Sequence, residues 1–131
     1  MMIPSRRLPL QEISELIVDA YGCGCDLNDL TLIEKAARQS VALVGAEIVE
    51  VSHHRFQPHG LTLVLILKES HFVFSSWPEH SFAVVNLFLC NPSMDAHKVW
   101  RDFSKTLKPR HEALQTVTHR IGPWKQKRTG S

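Results

Sequence analysis

Glu69, Ser70 and His71 stand in a row between two runs of strand-forming residues, with Ser75-Ser76-Trp77-Pro78-Glu79 just beyond and Cys90 about one strand further on. A serine hydroxyl beside a glutamyl carbonyl can attack it and turn the amide into an ester. This is the opening step by which a chain cuts its own backbone and leaves a pyruvoyl group where the serine stood. A ketone of that kind withdraws electrons when an amine substrate loses carbon dioxide. The competing reading is a serine in a turn of an ordinary small domain.

Other reactive side chains lack a useful spacing. Cys23-Gly24-Cys25 is one residue too tight for the usual redox pair, and no second pair completes a zinc site. His53 and His54 are neighbours on a strand, so they face opposite ways and cannot share an ion. No metal site is expected. No glycine-rich phosphate loop, Gly-x-Ser-x-Gly elbow or His-Glu-x-x-His pair occurs.

The elements that must position these residues follow from periodicity. Glu15–Tyr21 reads as a first strand, ended by Gly22 and Gly24. A helix follows, capped by Thr31 in a Thr31–Glu34 capping box or by the competing Asp29. Its apolar face is Ile33, Ala37, Val41 and Val44, and Gly45 ends it. Four strands come next, at Ile48–Phe56, Leu61–Lys68, His71–Trp77 and Ser81–Cys90, with Pro58–Gly60 supplying a turn. On the last of these, Phe82, Val84, Asn86, Phe88 and Cys90 share one face. Ser93 is the expected cap of a second helix with a buried stripe of Ala96, Trp100, Phe103 and Leu107. Lys105 and Lys108 suit its end, Pro109 stops it, and Glu112–Ile121 is the final strand. The fold class is α+β, a two-layer sandwich whose mainly antiparallel sheet is covered on one face by two helices.

Composition bounds the rest. A chain of 131 residues, 44% hydrophobic and 21% charged, makes one globular domain, with a loose lead-in at 1–12 and a tail at 122–131. The net charge is only +2, and much of the basic excess lies in Lys125–Arg128, which reads as a solvated end rather than a nucleic-acid site. The longest apolar run, Leu61–Leu67, is far too short to span a membrane. Three cysteines make no disulfide framework, so the expected compartment is the reducing cytoplasm.

Beyond these generic signals, the chain resembles the short prokaryotic S-adenosylmethionine decarboxylases. The resemblance covers roughly residues 15–110. It runs through Asp19-Ala20-Tyr21-Gly22-Cys23, Leu32-Ile33-Glu34, His54-Arg55-Phe56-Gln57-Pro58-His59-Gly60, Glu69-Ser70-His71, Trp77-Pro78-Glu79, Ala83-Val84-Val85 and Cys90. It implies a proenzyme that cuts itself between Glu69 and Ser70 into a β chain, 1–69, and an α chain, 70–131. The pyruvoyl group made from Ser70 would be the only cofactor, with no metal and no pyridoxal phosphate. It would form a Schiff base with S-adenosylmethionine, and the product would feed spermidine synthesis.

The same resemblance assigns roles by position. Cys90 would protonate the carbanion left by carbon dioxide, a step suited to a thiol that keeps its proton near neutrality. Phe56 would stack on adenine, Glu79 would bind the ribose hydroxyls, and Trp77 would lie beside the pocket. A homodimer is implied, with Thr62 and Ser75 of one copy facing Ser70 and Cys90 of the other. Two positions depart from the pattern. Thr62 replaces a processing serine and keeps its hydroxyl, and Ser75 replaces a histidine that assists pyruvoyl formation. His71 and His80 are nearby imidazoles that could substitute for it. The alternatives are a pyruvoyl decarboxylase of ornithine or arginine, and an unprocessed, non-catalytic paralogue.

Overall fold

The computed structural model describes residues 11–123, so most of the lead-in and nearly all of the basic tail lie outside the described residues. Gln11 and Glu12, expected in the lead-in, already belong to the first strand. The elements are β1 (Gln11–Tyr21), α1 (Leu30–Ala42), β2 (Glu47–Arg55), β3 (Leu61–Lys68), β4 (Ser70–Trp77), a 3-10 turn (Pro78–His80), β5 (Phe82–Leu89), α2 (Ala96–Leu107) and β6 (His111–Ile121). All six strands form one sheet in the order β2-β3-β4-β5-β1-β6, and every neighbouring pair is antiparallel. The strand, helix, four strands, helix, strand order is the expected one.

Strand periodicity divides the sheet into two faces. Leu61, Leu63, Leu65 and Leu67 of β3, Phe72 and Phe74 of β4, and Ala83, Val85 and Leu87 of β5 are buried in one cluster with both helices. Burying each large side chain of this set stabilises the fold by about 1.5–3 kcal/mol. α2 is pinned by Phe103, whose ring meets Phe72 at 5.0 Å and Phe74 at 5.9 Å, both edge-on. The intervening residues of each strand point away from the helices.

Both helix starts differ from the expected cap, for one physical reason. Asp29 sits in extended conformation just before α1, and its carboxylate accepts from the Leu32 amide at 3.1 Å. Thr31 is therefore inside the helix, and Glu34 pairs with Arg38 at 2.9 Å instead of closing a capping box. At α2 the cap is Asp95, which accepts from His97 and Lys98, while Ser93 is held in the preceding turn by Asn91. A carboxylate accepts more strongly from helix donors than a hydroxyl does. In the buried stripe of α2, Val99 joins Trp100, Phe103 and Leu107, while Ala96 is only partly covered. Lys108 ends α2 in the left-handed conformation, one residue before Pro109.

Candidate active site

Only Glu69 separates β3 from β4, so Ser70 is the first residue of its strand. β4 and β5 are paired with His71 opposite Phe88, and β3 and β4 with Leu67 opposite Ser70. Continuing the first register by two residues sets Glu69 across from Cys90, just past the end of β5. The Cys90 thiol is pushed above its ordinary value of 9.0, first by burial and then by the Glu69 carboxylate. Both effects favour the protonated thiol over the thiolate. A cavity of about 550 Å³ opens beside it, lined in part by Glu15, Asn91, Asp95 and His97.

Phe56, Thr62, Ser75, Trp77 and Glu79 gather at the opposite end of the same strands. Together with His59 they line a second cavity of about 410 Å³. Its floor is the β2–β3 loop, whose shape is fixed by polar contacts to the segment before α1. The Gly60 amide donates to Asn28 Oδ1 at 2.9 Å, and Arg55 Nη1 donates to the Asn28 carbonyl at 3.1 Å. Buried Ser76 ties the loop to β4, donating to the Leu27 carbonyl and accepting from the Leu61 amide. Gly60 is required here, because its φ is +114° and a Cβ would meet the Ser76 carbonyl at 3.2 Å.

This loop presents Phe56, 49% exposed, with its ring braced edge-on by His54 at 4.6 Å. A flat, half-bare aromatic can take a stacked ring. Across the cavity, Glu79 rides on the 3-10 turn, and one of its oxygens lies 3.1 Å from His59 Nε2. Trp77 packs against Phe82 at 5.6 Å while keeping 42% of its surface exposed, so it is both support and wall. Thr62 and Ser75 are opposite each other in the β3–β4 register, with hydroxyls 3.1 Å apart.

The two sets do not meet within one copy. Ser70 and Ser75 are five residues apart on one strand, about 17 Å at ordinary strand rise. The fold thus places Ser70 and Cys90 at one end of these strands and Phe56, Thr62, Ser75, Trp77 and Glu79 at the other. His71 points to the same face as Ser75, as alternation requires, but toward the Ser70 end. His80, on the 3-10 turn, is exposed at the other end.

Sequence reasoning missed a polar chain on the open face. His71 Nε2 lies 2.7 Å from Asn86 Oδ1, and Asn86 Nδ2 donates to Glu15 Oε1 at 2.7 Å. The second Glu15 oxygen meets His119 Nε2. Hydrogen bonding from Asn86, then His119, holds the Glu15 carboxyl below its usual value. The available signal was Asn86, the one polar residue in the otherwise apolar β5; Glu15 lies in a β1 that carries several polar residues and does not stand out. Among the described residues no group of three or more His, Cys, Asp or Glu side chains could hold a metal, and no helix is long and apolar enough to cross a membrane.

Fold and site define a class: an α+β two-layer protein with a Glu-Ser junction at a strand head and a thiol beside it. Residues 14–120 match the family model for S-adenosylmethionine decarboxylase. An S-adenosylmethionine decarboxylase proenzyme of Caldicellulosiruptor saccharolyticus is 36% identical over 103 residues, covering 78% of this chain and 83% of that protein. A proenzyme of Thermotoga maritima is 33% identical over 108 residues, covering 82% of each. The crystal structure of the adenosylmethionine decarboxylase from Aquifex aeolicus has the same fold, with a TM-score of 0.73 at 24% identity over 93% of this chain and 99% of that one. The chain belongs to the S-adenosylmethionine decarboxylase family.

Proposed function

We propose that this protein is a self-cutting, pyruvoyl-dependent S-adenosylmethionine decarboxylase that works as a homodimer, its sites assembled from opposite ends of two copies. The observation that carries this reading is the division of the open face into two complementary ends. A twofold partner laid antiparallel on that face would bring Ser70 and Cys90 of one copy to Phe56, Thr62, Ser75, Trp77 and Glu79 of the other. The face is also too apolar to be a solvated one. Val64, Ile66, Val73, Phe82, Val84 and Phe88 project from it, and Ile66 is 40% exposed.

The residues present fit the pyruvoyl group. Ser70 heads a strand held on both sides by neighbours, and the residue before it, Glu69, is exposed in a one-residue turn. Ser70 Oγ attacks the Glu69 carbonyl carbon, and the amide nitrogen leaves, giving an ester. Loss of the Ser70 Cα proton then breaks the Cβ–O bond and frees the Glu69 carboxylate. Water hydrolyses the resulting enamine, releasing ammonia and leaving the ketone at position 70. The partner's hydroxyl pair, Thr62 and Ser75, supplies hydrogen bonds to the carbonyl oxygen during this sequence. A serine at 75 cannot take the Cα proton as an imidazole could, so cutting is slow.

When formed, the ketone supplies the electron sink for loss of carbon dioxide. The chain's own residues do the remaining work. Phe56 stacks on the adenine, Glu79 accepts from the ribose hydroxyls, and Trp77 closes the side of the cavity. Cys90 delivers its thiol proton to the carbon that has lost carbon dioxide. The product suits aminopropyl transfer in the synthesis of spermidine, and a cytoplasmic setting suits three free cysteines. The test is release of labelled carbon dioxide from carboxyl-labelled S-adenosylmethionine, ornithine and arginine. Release from the first alone is expected; release from either of the others, without the first, contradicts the assignment.

A further inference from the structure

Cutting the Glu69–Ser70 bond would turn the head of β4 into a chain end, and chain ends fray unless something ties them down. The reactive group would then sit on the least restrained residue of the strand. His71 is the next residue, and the polar chain on the open face begins there. It runs from His71 on β4 to Asn86 on β5, Glu15 on β1 and His119 on β6.

The direction of each bond in this chain is fixed by chemistry. A carboxylate only accepts, so Asn86 must turn its amide nitrogen to Glu15 and its carbonyl oxygen to His71. His71 Nε2 therefore carries a hydrogen and donates. The Glu15 carboxylate accepts from both sides, with Oε1 on Asn86 and Oε2 on His119. The rings add a second layer, since Phe88 stands edge-on to His71 at 5.3 Å and to His119 at 5.7 Å. The cut leaves all three anchoring strands intact.

We propose that the His71–Asn86–Glu15–His119 chain is a side-chain clamp that holds the newly cut end of β4, and with it residue 70, against the sheet. It rests on the proposed cleavage, and its members act as positioning residues. Before cutting, the β3–β4 turn restrains the same residues, so the clamp matters only afterwards. That difference separates it from ordinary support of the fold.

The test compares Asn86→Leu in two backgrounds, the naturally cut chain and an uncut Ser70→Ala chain, by hydrogen exchange of the amides at 71–73. In the uncut background the substitution should change exchange by less than about twofold. In the cut background exchange should rise about tenfold or more. kcat for S-adenosylmethionine should fall while KM moves little. Glu15→Gln keeps an acceptor for Asn86 and should retain most of the turnover, whereas Glu15→Leu should behave like Asn86→Leu; this pair decides the matter if Asn86→Leu does not fold. Cut variants with unchanged exchange and kcat would overturn the clamp and leave the decarboxylase reading standing. A wild-type chain that never cuts would overturn both.

Discussion

On β4, Phe72, Phe74 and Ser76 turn toward the helices, while His71, Val73, Ser75 and Trp77 turn away from them. The first set is buried, and its single polar member has both a donor and an acceptor partner. The second set is part-exposed and contains the residues adjoining both ends of the proposed site. The same alternation holds on β5, where Ala83, Val85 and Leu87 pack inward and Phe82, Val84, Asn86 and Phe88 face out. One face therefore supplies stability, and the other is free to carry reactive and hydrogen-bonding groups. Substitutions on the two faces should fail in different ways.

The largest contrast is expected between Cys90→Ala and Phe74→Ala. Replacing Cys90 should cut turnover by about a hundredfold or more, because the proposed proton donor is lost, while the denaturation midpoint barely moves. Phe74→Ala should cost about 3–5 kcal/mol of stability, read by urea denaturation, with turnover per folded molecule little changed. A Cys90→Ala protein that melts early, or a stable Phe74→Ala protein, would erase the distinction between the faces.

A second experiment sharpens the division of the open face into two ends. Cys90→Ala and Glu79→Ala should each be nearly inactive alone. Mixed and allowed to exchange subunits, they should recover about a quarter of wild-type activity, since half of random dimers are mixed and each has one intact site. No recovery after demonstrated exchange would place both residues in a site built from one copy.

The next effect concerns acid. Glu15 has a folded-state carboxyl below its ordinary value of 4.5, chiefly through Asn86 and then His119. A depressed value means the charged form is favoured in the folded protein. This stabilisation is fully present above the ordinary value and is lost as pH falls through the depressed one. The advantage of wild type over Glu15→Gln, on the order of 1 kcal/mol near neutrality, should shrink steadily below about pH 4.5. An advantage that persists or grows in acid would contradict the charged-acceptor picture.

The smallest effect is in thiol reactivity. Burial raises Cys23 to about 11 and raises Cys25 and Cys90 above 9.0. Peptide-resolved alkylation should be slow at all three at neutral pH and rise only in alkali. Rapid neutral alkylation of Cys90 would mean that it is a thiolate, unfit to donate a proton.

Much of this arrangement was legible in the chain because strand and helix periods report burial directly. The period of two put Phe82, Val84, Asn86 and Phe88 on one face of their strand, as observed, but runs as uniformly apolar as Leu61–Leu67 do not tell which face looks inward. The caps were less legible: Asp29 and Asp95 compete with Thr31 and Ser93 within two residues, and only the local geometry decides between them. The site residues were named through family motifs, since a lone Cys90 or Glu79 has many ordinary explanations. The separation of those residues into two ends follows from counting five positions from Ser70 to Ser75 along one strand. The His71–Asn86–Glu15–His119 chain was not legible, because it depends on β1 lying between β5 and β6, a long-range pairing that no local pattern encodes.

The central claim is that the chain breaks its own backbone at Glu69–Ser70. Denaturing mass spectrometry of freshly purified and long-incubated protein tests it directly. The expected result is conversion of the 14.9 kDa chain into two fragments, 1–69 and 70–131, with the second blocked at its amino end by a ketone that reacts with hydroxylamine. A single species at full mass after prolonged incubation would contradict it.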